Sequence, residues 1–379
     1  MKSSASKRIH YATLFPECCS IHLKKDVGML PYSLEKYQNY KSSILCYDNG
    51  DISSSEKEKY HISFIPRKHG ENRDFGIYLL RHGRQIDVLN LYHITSRRNL
   101  PWILLYKLSN PKGMVHMKLD ADMRMLDLVD MYPKSIKGKL KAWILRNLVD
   151  LYTVETTQMQ QILEKAWGLD IRLMPNGLFL DEQTYQQTFP ESKDAFLTVG
   201  RLGTAQKATE ILLEAYRQIA LKTTWQLWLA GPVDPCFQRH IQMFYEENAH
   251  LADRVRFLGN ITDPAQLTEI YGQAKVFVLP SRWESFGLVL TEALERGEYL
   301  VVSDQIPSAN DVGANGKYCT VIPADDPSAL GTAMLQATQM PIDLNTRKER
   351  SRWVLENFTW AQIVKTLDRY LQLKRRDLC

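Results

Sequence analysis

An alternation of short apolar runs with amphipathic segments occurs twice along the chain and constrains its fold more than any other feature. The amphipathic segment 207–221 has its apolar residues at helical spacing. Short apolar runs, each followed by polar residues or a turn, are typical of buried parallel strands. These runs lie at 87–92, 113–120, 150–156, 194–202, 225–231, 255–260, 274–281 and 298–304. Alternating strands and helices predict an α/β fold with parallel sheets and crossover helices.

The two sets of runs predict two domains. A chain of 379 residues is long for one hydrophobic core. The segment 174–194 is rich in Pro, Gly and polar residues and is interpreted as a linker. We therefore expect two Rossmann-like, doubly wound domains, 1–185 and 186–356, that face each other across a cleft. Ligands of such sheets bind at the carboxyl ends of the strands.

Composition excludes several classes of function. The formal charge of +5 is mild for a nucleic-acid-binding protein. No apolar run is long enough for a transmembrane helix or a signal peptide, so a cytoplasmic protein is expected. The six cysteines form no CxxC pair and are interpreted as reduced thiols. No GxGxxG follows an early strand, which argues against a dehydrogenase. The polar stretch 51–59 is interpreted as a loop.

The stretch PSRWESFGLVLTEALERG, residues 280–297, predicts an anion site. A strand, a turn and an apolar helix follow one another, so Gly287 lies where the first helical N–H groups lack partners and the helix dipole is positive. Glycine there lets a phosphate approach the backbone. Glu284 and Glu292 lie roughly 12 Å apart at most, one on each side of that position. Carboxylates accept hydrogen bonds from hydroxyls, which favours a nucleoside-diphosphate sugar as the ligand.

The whole string resembles the E-x7-E motif of the retaining glycosyltransferases of family 4, which have the GT-B fold. VGRLGTAQKATE, residues 199–210, resembles the segment of that family that holds the donor diphosphate. The resemblance implies catalytic roles for Glu284, Arg201 and Lys207, with two cations stabilising the charge of the leaving diphosphate. It implies further donor contacts at Ser285, Phe286, Gly287, Leu288, Val289 and Glu292, and at Gly259, Asn260 and Ile261 in RVRFLGNITD.

The resemblance is looser in the N-terminal half. HLKKDVGMLPYSLEKY, residues 22–37, resembles the start of bacterial polysaccharide-assembly members, which places Gly28 against the donor and Lys24 and Lys25 near an acceptor. The strand that ends in MVHMKLDAD lacks the histidine found in many members. Lys118 and Asp120 stand there instead, with Asp120 as the catalytic candidate and Lys118 as an acceptor contact. His93 is a further acceptor candidate.

The resemblance implies a function as well as a fold. Residues 1–185 are expected to bind the acceptor, with a C-terminal helix 357–379 packing back on them, and 186–356 to bind the donor. The implied reaction moves a hexosyl unit, with retention, from a nucleotide sugar to a glycan or lipid-linked saccharide in bacterial surface polysaccharide or glycoconjugate synthesis. A UDP-sugar is favoured, and no cofactor or metal is expected. Although DAD at 120–122 fits D-x-D, it lies in the half that does not bind the donor.

Three alternatives stay open on sequence grounds. The first is a catalytically silent GT-B subunit that binds glycan or protein and supports a sister enzyme. The others are a nucleotide-sugar epimerase and a phosphorylase of similar fold. Separately, the segment 134–148 interleaves basic and apolar residues and predicts an amphipathic helix. This helix is either a crossover helix with a solvated basic face or a contact with the inner face of the cytoplasmic membrane.

Overall fold

The computed structural model describes residues 8–94, 96–181 and 185–377. Within these ranges the chain divides into two compact units, residues 1–179 with 359–379 (unit 1) and residues 180–358 (unit 2). The sequence prediction places the main boundary at residue 185, six residues later. Cys379 lies outside the described residues, and the other five cysteines are free thiols.

Unit 1 is a parallel sheet with helices on both faces. Its described strands are β1 (His10–Leu14), β2 (Lys41–Cys46), β3 (Ile62–Phe64), β4 (Val88–Tyr92), β5 (Met114–Lys118), β6 (Leu151–Val154) and β7 (Ile171–Leu173), in the order β3-β2-β1-β4-β5-β6-β7. Its helices are α1 (Ser20–Leu23), α2 (Asp26–Gln38), α3 (Ser54–Lys59), α4 (Glu71–His82), α5 (Ser96–Ser109), α6 (Met125–Leu128), α7 (Ile136–Leu148), α8 (Thr157–Trp167) and a C-terminal helix, Trp360–Asp377.

Unit 2 repeats this architecture. Its described strands are β8 (Ala195–Val199), β9 (Gln226–Ala230), β10 (Val255–Gly259), β11 (Val276–Leu279), β12 (Tyr299–Ser303) and β13 (Cys319–Ile322), in the order β10-β9-β8-β11-β12-β13. Its helices are α9 (Thr209–Ile219), α10 (Gln238–Glu247), α11 (Pro264–Gln273), α12 (Leu288–Glu295), α13 (Ala309–Val312), α14 (Pro327–Thr338) and α15 (Leu344–Asn357), so the C-terminal helix is α16. The α/β prediction with two Rossmann-like sheets is confirmed.

The order of the strands determines where ligands can bind. In each sheet the order reverses beside the first strand of the unit, since β1 lies between β2 and β4, and β8 lies between β9 and β11. Adjacent strand pairs are parallel, so all carboxyl ends share one edge. The loops after these strands therefore form the place where each unit can bind a ligand.

The apolar pattern explains why the strands are buried on both faces. The residues of β11 and β12 are buried along their whole length, as expected of strands covered by helices on two sides. In unit 1, α16 closes one face of the sheet, where Ile363, Val364 and Leu367 pack in the same core as Leu30 of α2. The Tyr40 hydroxyl donates to Asp368 of α16 at 2.8 Å.

The interpretation of residues 51–59 as a loop was wrong. Ser54–Lys59 is a helix, capped by the Ser53 side chain, which accepts from the Glu56 backbone N–H. The Glu56 carboxylate accepts in return from the Ser53 N–H at 2.9 Å. This reciprocal capping box stabilises a short polar helix that has no buried face.

Candidate functional site

Two of the predicted catalytic side chains of unit 2 are in direct contact. Lys207 Nζ lies 2.5 Å from Glu284 Oε1, although the two residues are 77 positions apart in the sequence. Their side chains are 14% and 10% exposed, so both are largely buried yet still reachable from solvent. The Ser281 hydroxyl donates to the same carboxylate oxygen at 3.0 Å. The structure therefore brings the two motifs together, as the resemblance implies.

Gln206 joins the loops that carry this pair, and the sequence analysis did not single it out. Its side-chain oxygen accepts from Arg201 Nη2 at 2.7 Å, and its side-chain amide donates to the Trp283 carbonyl at 3.0 Å. Its backbone carbonyl accepts from the Arg282 N–H at 2.8 Å. Gln206 therefore orients the exposed Arg201 guanidinium and fixes the loop after β8 to the loop after β11. Only its position between Arg201 and Lys207 could have indicated this from sequence.

The turn into α12 has the conformation that the anion-site argument needs. Gly287 is the N-cap residue, with φ 76° and ψ 67°, in the left-handed region where glycine is favoured. A Cβ there would meet nothing closer than 3.7 Å, so the backbone conformation and not crowding explains the glycine. Ser285, Leu288 and Val289 are partly exposed around it. The Phe286 side chain is buried, and its backbone carbonyl accepts from the Ser308 hydroxyl.

The other predicted donor residues lie at the same edge or on α12. Glu292 Oε2 accepts from the Tyr271 hydroxyl at 2.8 Å. Burial and the neighbouring Glu292 carboxylate raise the pKa of Tyr271, which keeps the phenol protonated as the donor. Gly259 ends β10 with φ 74° and is exposed, as is Asn260, and Ile261 is partly exposed.

In unit 1, the structure brings Asp120 and His93 together at the carboxyl ends of β5 and β4. His93 Nδ1 lies 3.9 Å from Asp120 Oδ2, and the side chains are 45% and 34% exposed. Both residues have left-handed backbone conformations, with φ 53° and 47°. Non-glycine residues rarely adopt this region, and it is found at functional sites where the surroundings enforce it.

The prediction that Lys118 contacts an acceptor does not fit the structure. Its side chain is 0% exposed and is held by Glu155 and by Asp26, whose Oδ2 lies 3.2 Å from Nζ. Burial by itself lowers the pKa of Lys118, but the surrounding carboxylates raise it by a larger amount. The net shift of the pKa is therefore upward, and the ammonium stays charged. A charge enclosed in this way interacts with protein partners and is not presented to a ligand.

The region around Gly28 is explained in part by packing. Gly28 is buried in the first turn of α2, where an added Cβ would lie 2.3 Å from the Leu23 carbonyl oxygen. Close contact between α1 and α2 is therefore enough to require glycine, and its donor contact stays a prediction. Lys24 and Lys25 are exposed between the two helices, after β1.

The second carboxylate of the D-x-D pattern at 120–122 has a protein partner in the structure. The Asp122 carboxylate is engaged by Arg124, whose Nη2 lies 2.5 Å from Oδ2. Within the described ranges, no group of three or more His, Cys, Asp or Glu side chains is placed to hold a metal ion. Those ranges also contain no helix with the length and apolarity that crossing a bilayer requires.

The chain consists of two doubly wound parallel units, which is the architecture of a GT-B-type α/β protein. Unit 2 has a lysine, a carboxylate and a glycine-capped helix at the carboxyl edge of its sheet. Comparison of structures gives the same class. The crystal structure of HepE from Anabaena in complex with UDP covers 97% of this chain and 100% of its own, with a TM-score of 0.69 and 14% identity.

Sequence comparison shows which family the second half of the chain is similar to. Residues 193–339 match the family described as glycosyl transferases group 1. A phosphatidyl-myo-inositol mannosyltransferase of Mycobacterium tuberculosis is 24% identical over 214 residues, 54% of each chain. A GDP-mannose:cellobiosyl-diphosphopolyprenol alpha-mannosyltransferase of Xanthomonas oryzae is 26% identical over 203 residues, 53% of this chain and 52% of the relative. The chain spans about half the length of these curated relatives. The similarity to the glycosyl transferases group 1 family thus covers most of unit 2.

Proposed function

We propose that this protein is a retaining glycosyltransferase that moves a hexosyl unit from a nucleotide-diphosphate sugar to a hydroxyl of a glycan or lipid-linked saccharide. The observation that carries the proposal is the contact between Lys207 and Glu284 beside the glycine-capped start of α12. A cation, a carboxylate and free helical N–H groups suit a ligand that combines phosphates with hydroxyls.

Unit 2 supplies the chemistry of the leaving group. As the bond between sugar and phosphate breaks, negative charge grows on the diphosphate. Arg201, Lys207 and the amides at the start of α12 stabilise this charge, which lowers the barrier without requiring a metal ion. When donor binds, the Lys207 ammonium contacts phosphate while Glu284 accepts hydrogen bonds from the sugar hydroxyls.

Unit 1 supplies the groups for the acceptor. We assign Asp120 to the acceptor hydroxyl, since its carboxylate is partly exposed, lies beside His93 and belongs to a strained turn at the carboxyl edge of the sheet. The carboxylate accepts a hydrogen bond from the hydroxyl and orients its oxygen for attack. The proton leaves on the departing phosphate oxygen, so Asp120 need not be a strong base. The exposed Lys24 and Lys25 line the same edge.

A lipid-linked acceptor would explain the surface of α7. Ile136, Leu140 and Trp143 are 86%, 61% and 53% exposed and fall on one face, because they are spaced four and three residues apart. Lys137 and Lys139 flank this face, while Ala142, Ile144 and Leu145 are buried against the unit. Apolar side chains between lysines favour a surface of anionic lipid, and we propose that α7 rests on the inner face of the cytoplasmic membrane.

The proposed base of the donor nucleotide is either uracil or guanine. We favour a UDP-sugar, in line with the UDP-bound structure of similar fold. A GDP-sugar is the competing candidate, since the Xanthomonas relative is named for GDP-mannose.

The experiment is a donor panel. Purified protein is incubated with UDP- and GDP-sugars, without and with a lipid-linked or oligosaccharide acceptor, and released nucleoside diphosphate and products are measured. We expect release from one donor, increased by acceptor, and a loss in Glu284→Gln on the order of 10²- to 10³-fold. Glu247→Gln, on the exposed surface of α10, is the matched control and should behave as wild type.

The panel also separates the alternatives. A new sugar without acceptor would indicate an epimerase, and a sugar phosphate formed with added phosphate would indicate a phosphorylase. No release with any donor or acceptor, together with no binding heat for any donor in calorimetry, would reject the transferase in favour of a silent partner subunit.

A further inference from the structure

A cluster of charges, in which the lysine and one of two carboxylates are sealed from solvent, lies directly beneath the Asp120 turn. It consists of Lys118 at the end of β5, Glu155 after the end of β6, and Asp26 at the start of α2. Lys118 and Glu155 are each 0% exposed and in contact, and Asp26, 15% exposed, lies 3.2 Å from the same ammonium. A lysine enclosed by two carboxylates is costly to bury, so this arrangement calls for an explanation beyond packing.

Glu155 has a second set of partners that Asp26 lacks. Its Oε1 accepts from the Asp120 N–H and its Oε2 from the Ala121 N–H, both at 3.1 Å. These two amides belong to the turn in which Asp120 adopts φ 47°. A carboxylate that accepts from two successive N–H groups with separate oxygens fixes the direction of both peptide units. The Lys118 ammonium compensates the negative charge of the buried Glu155 carboxylate.

We propose that Glu155 is a positioning residue that, charge-balanced by Lys118, fixes the Asp120 turn and so aims the Asp120 carboxylate at the acceptor hydroxyl. The inference rests on the proposed function, because it gives Asp120 the acceptor role stated there. Glu155 itself is fully buried and touches no substrate. Its effect on catalysis passes through the backbone of Asp120.

The structure offers a closely matched pair of variants. Glu155→Gln leaves one side-chain oxygen where two amides need an acceptor, whereas the remaining Asp26–Lys118 pair still balances the buried charge. Asp26→Asn also removes one carboxylate from Lys118 but leaves both amide contacts of Glu155 in place. The two variants therefore disturb the same ammonium, and only the first releases the Asp120 turn.

The test compares kcat and donor KM for wild type, Glu155→Gln, Asp26→Asn, Asp120→Asn and the double variant Asp120→Asn/Glu155→Gln. We expect Glu155→Gln to lower kcat on the order of 10- to 100-fold with donor KM unchanged, since misplacing a reacting group has effects of this size. Asp26→Asn should keep kcat within about threefold of wild type. The double variant should be no slower than Asp120→Asn, because both changes remove the same contribution.

Equal losses of kcat in Glu155→Gln and Asp26→Asn would overturn the proposal, as would a double variant whose two effects multiply. Either result would mean that the cluster only stabilises the fold. An unchanged kcat in Asp120→Asn would also overturn it, since Asp120 would then have no role for Glu155 to serve.

A structural measurement keeps the inference testable if no transfer is found. Hydrogen exchange of peptides that span 119–122 is followed in wild type, Glu155→Gln and Asp26→Asn. Faster exchange confined to Glu155→Gln supports the positioning role even when the proposed function fails. Equal protection in all three proteins overturns it even when the proposed function holds.

Discussion

Two lysine–glutamate pairs lie at the carboxyl edges of the two sheets, and solvent reaches only one of them. Lys207 and Glu284 of unit 2 are 14% and 10% exposed, whereas Lys118 and Glu155 of unit 1 are each 0% exposed. The open pair can exchange its partner for a ligand, and its lysine is proposed to do so with a diphosphate. The sealed pair has no such exchange available, so its interactions serve to hold the backbone around Asp120.

The largest expected effect is on stability and separates the two lysines. Lys118→Met leaves the buried Glu155 carboxylate without its cation and should lower the free energy of unfolding by about 3–5 kcal/mol. Lys207→Met should lower it by about 1 kcal/mol, because solvent partly screens the open pair. Urea unfolding of both variants measures the difference. Equal losses would mean that the open pair is as much a part of the core as the sealed one.

The next expected effect is on the rate of transfer and concerns the open pair. In the fully folded protein, Lys207→Met should reduce transfer on the order of 10²- to 10³-fold, because a cation that stabilises the leaving diphosphate is lost. Gln206→Ala should cause a smaller loss, since Arg201 keeps its charge and loses only its orientation. Steady-state kinetics with the donor found in the panel measures both. A larger loss in Gln206→Ala would contradict a direct role for Lys207.

The buried residues around Lys118 should also make the free energy of unfolding depend on pH. The His116 imidazole, bonded to the Tyr11 and Thr153 hydroxyls at 2.7 and 2.8 Å, is fully buried. Burial, with a contribution from the Lys118 charge, lowers the pKa of His116 to about 3. Between about pH 6.5 and pH 3 the unfolded chain binds a proton at His116 and the folded protein does not. Acidification through this range therefore lowers the free energy of unfolding, whereas His116 has no such effect above about pH 6.5.

The slope from this single group is at most about 1.4 kcal/mol per pH unit. Unfolding free energies of wild type and His116→Gln between pH 7.5 and 5 measure it, with His250→Gln on the exposed surface of unit 2 as control. The His116 variant should lose stability less steeply on acidification than the wild type does. Parallel pH profiles for all three proteins would contradict the predicted shift.

The smallest expected effect tests the backbone of the open site. Gly287→Ala and Gly259→Ala each force a side chain into positive φ, at 76° and 74°, and should each cost about 1 kcal/mol of stability. Neither Cβ would clash, so the two variants are matched in strain. Gly287→Ala should in addition raise donor KM more than Gly259→Ala does, if the diphosphate binds at α12. Thermal unfolding and donor kinetics measure the two effects, and an unchanged donor KM in Gly287→Ala would contradict that location.

The amount that sequence can predict differs between the two units. In unit 2, Glu284, Gly287 and Lys207 belong to local strings whose spacing is itself informative, so the amino-acid sequence alone is enough to predict a candidate site there. In unit 1 the predicted Asp120 and His93 lie together, whereas the Lys118 side chain is buried. Its position at a strand end indicates a residue at the ligand edge, and nothing in MVHMKLDAD indicates that its ammonium is buried.

A short polar helix and the role of Gln206 differ in how far the sequence could have predicted them. The helix Ser54–Lys59 could have been predicted, since Ser53 and Glu56 have the spacing of a capping box. Gln206, by contrast, has a role only because the loops after β8 and β11 lie side by side, and those strands are separated along the chain by two others. No local pattern encodes that adjacency.

The two parallel sheets, the glycine-capped helix and the residue types of the proposed donor site all follow from local patterns, because periodicity, helix capping and motif spacing act over a few residues. Which charges are open and which are sealed depends instead on how distant segments pack. The distinction between Lys207 and Lys118 comes from what α2, β5 and β6 enclose, and burial changes the energy of a charge far more than its neighbours in the chain do.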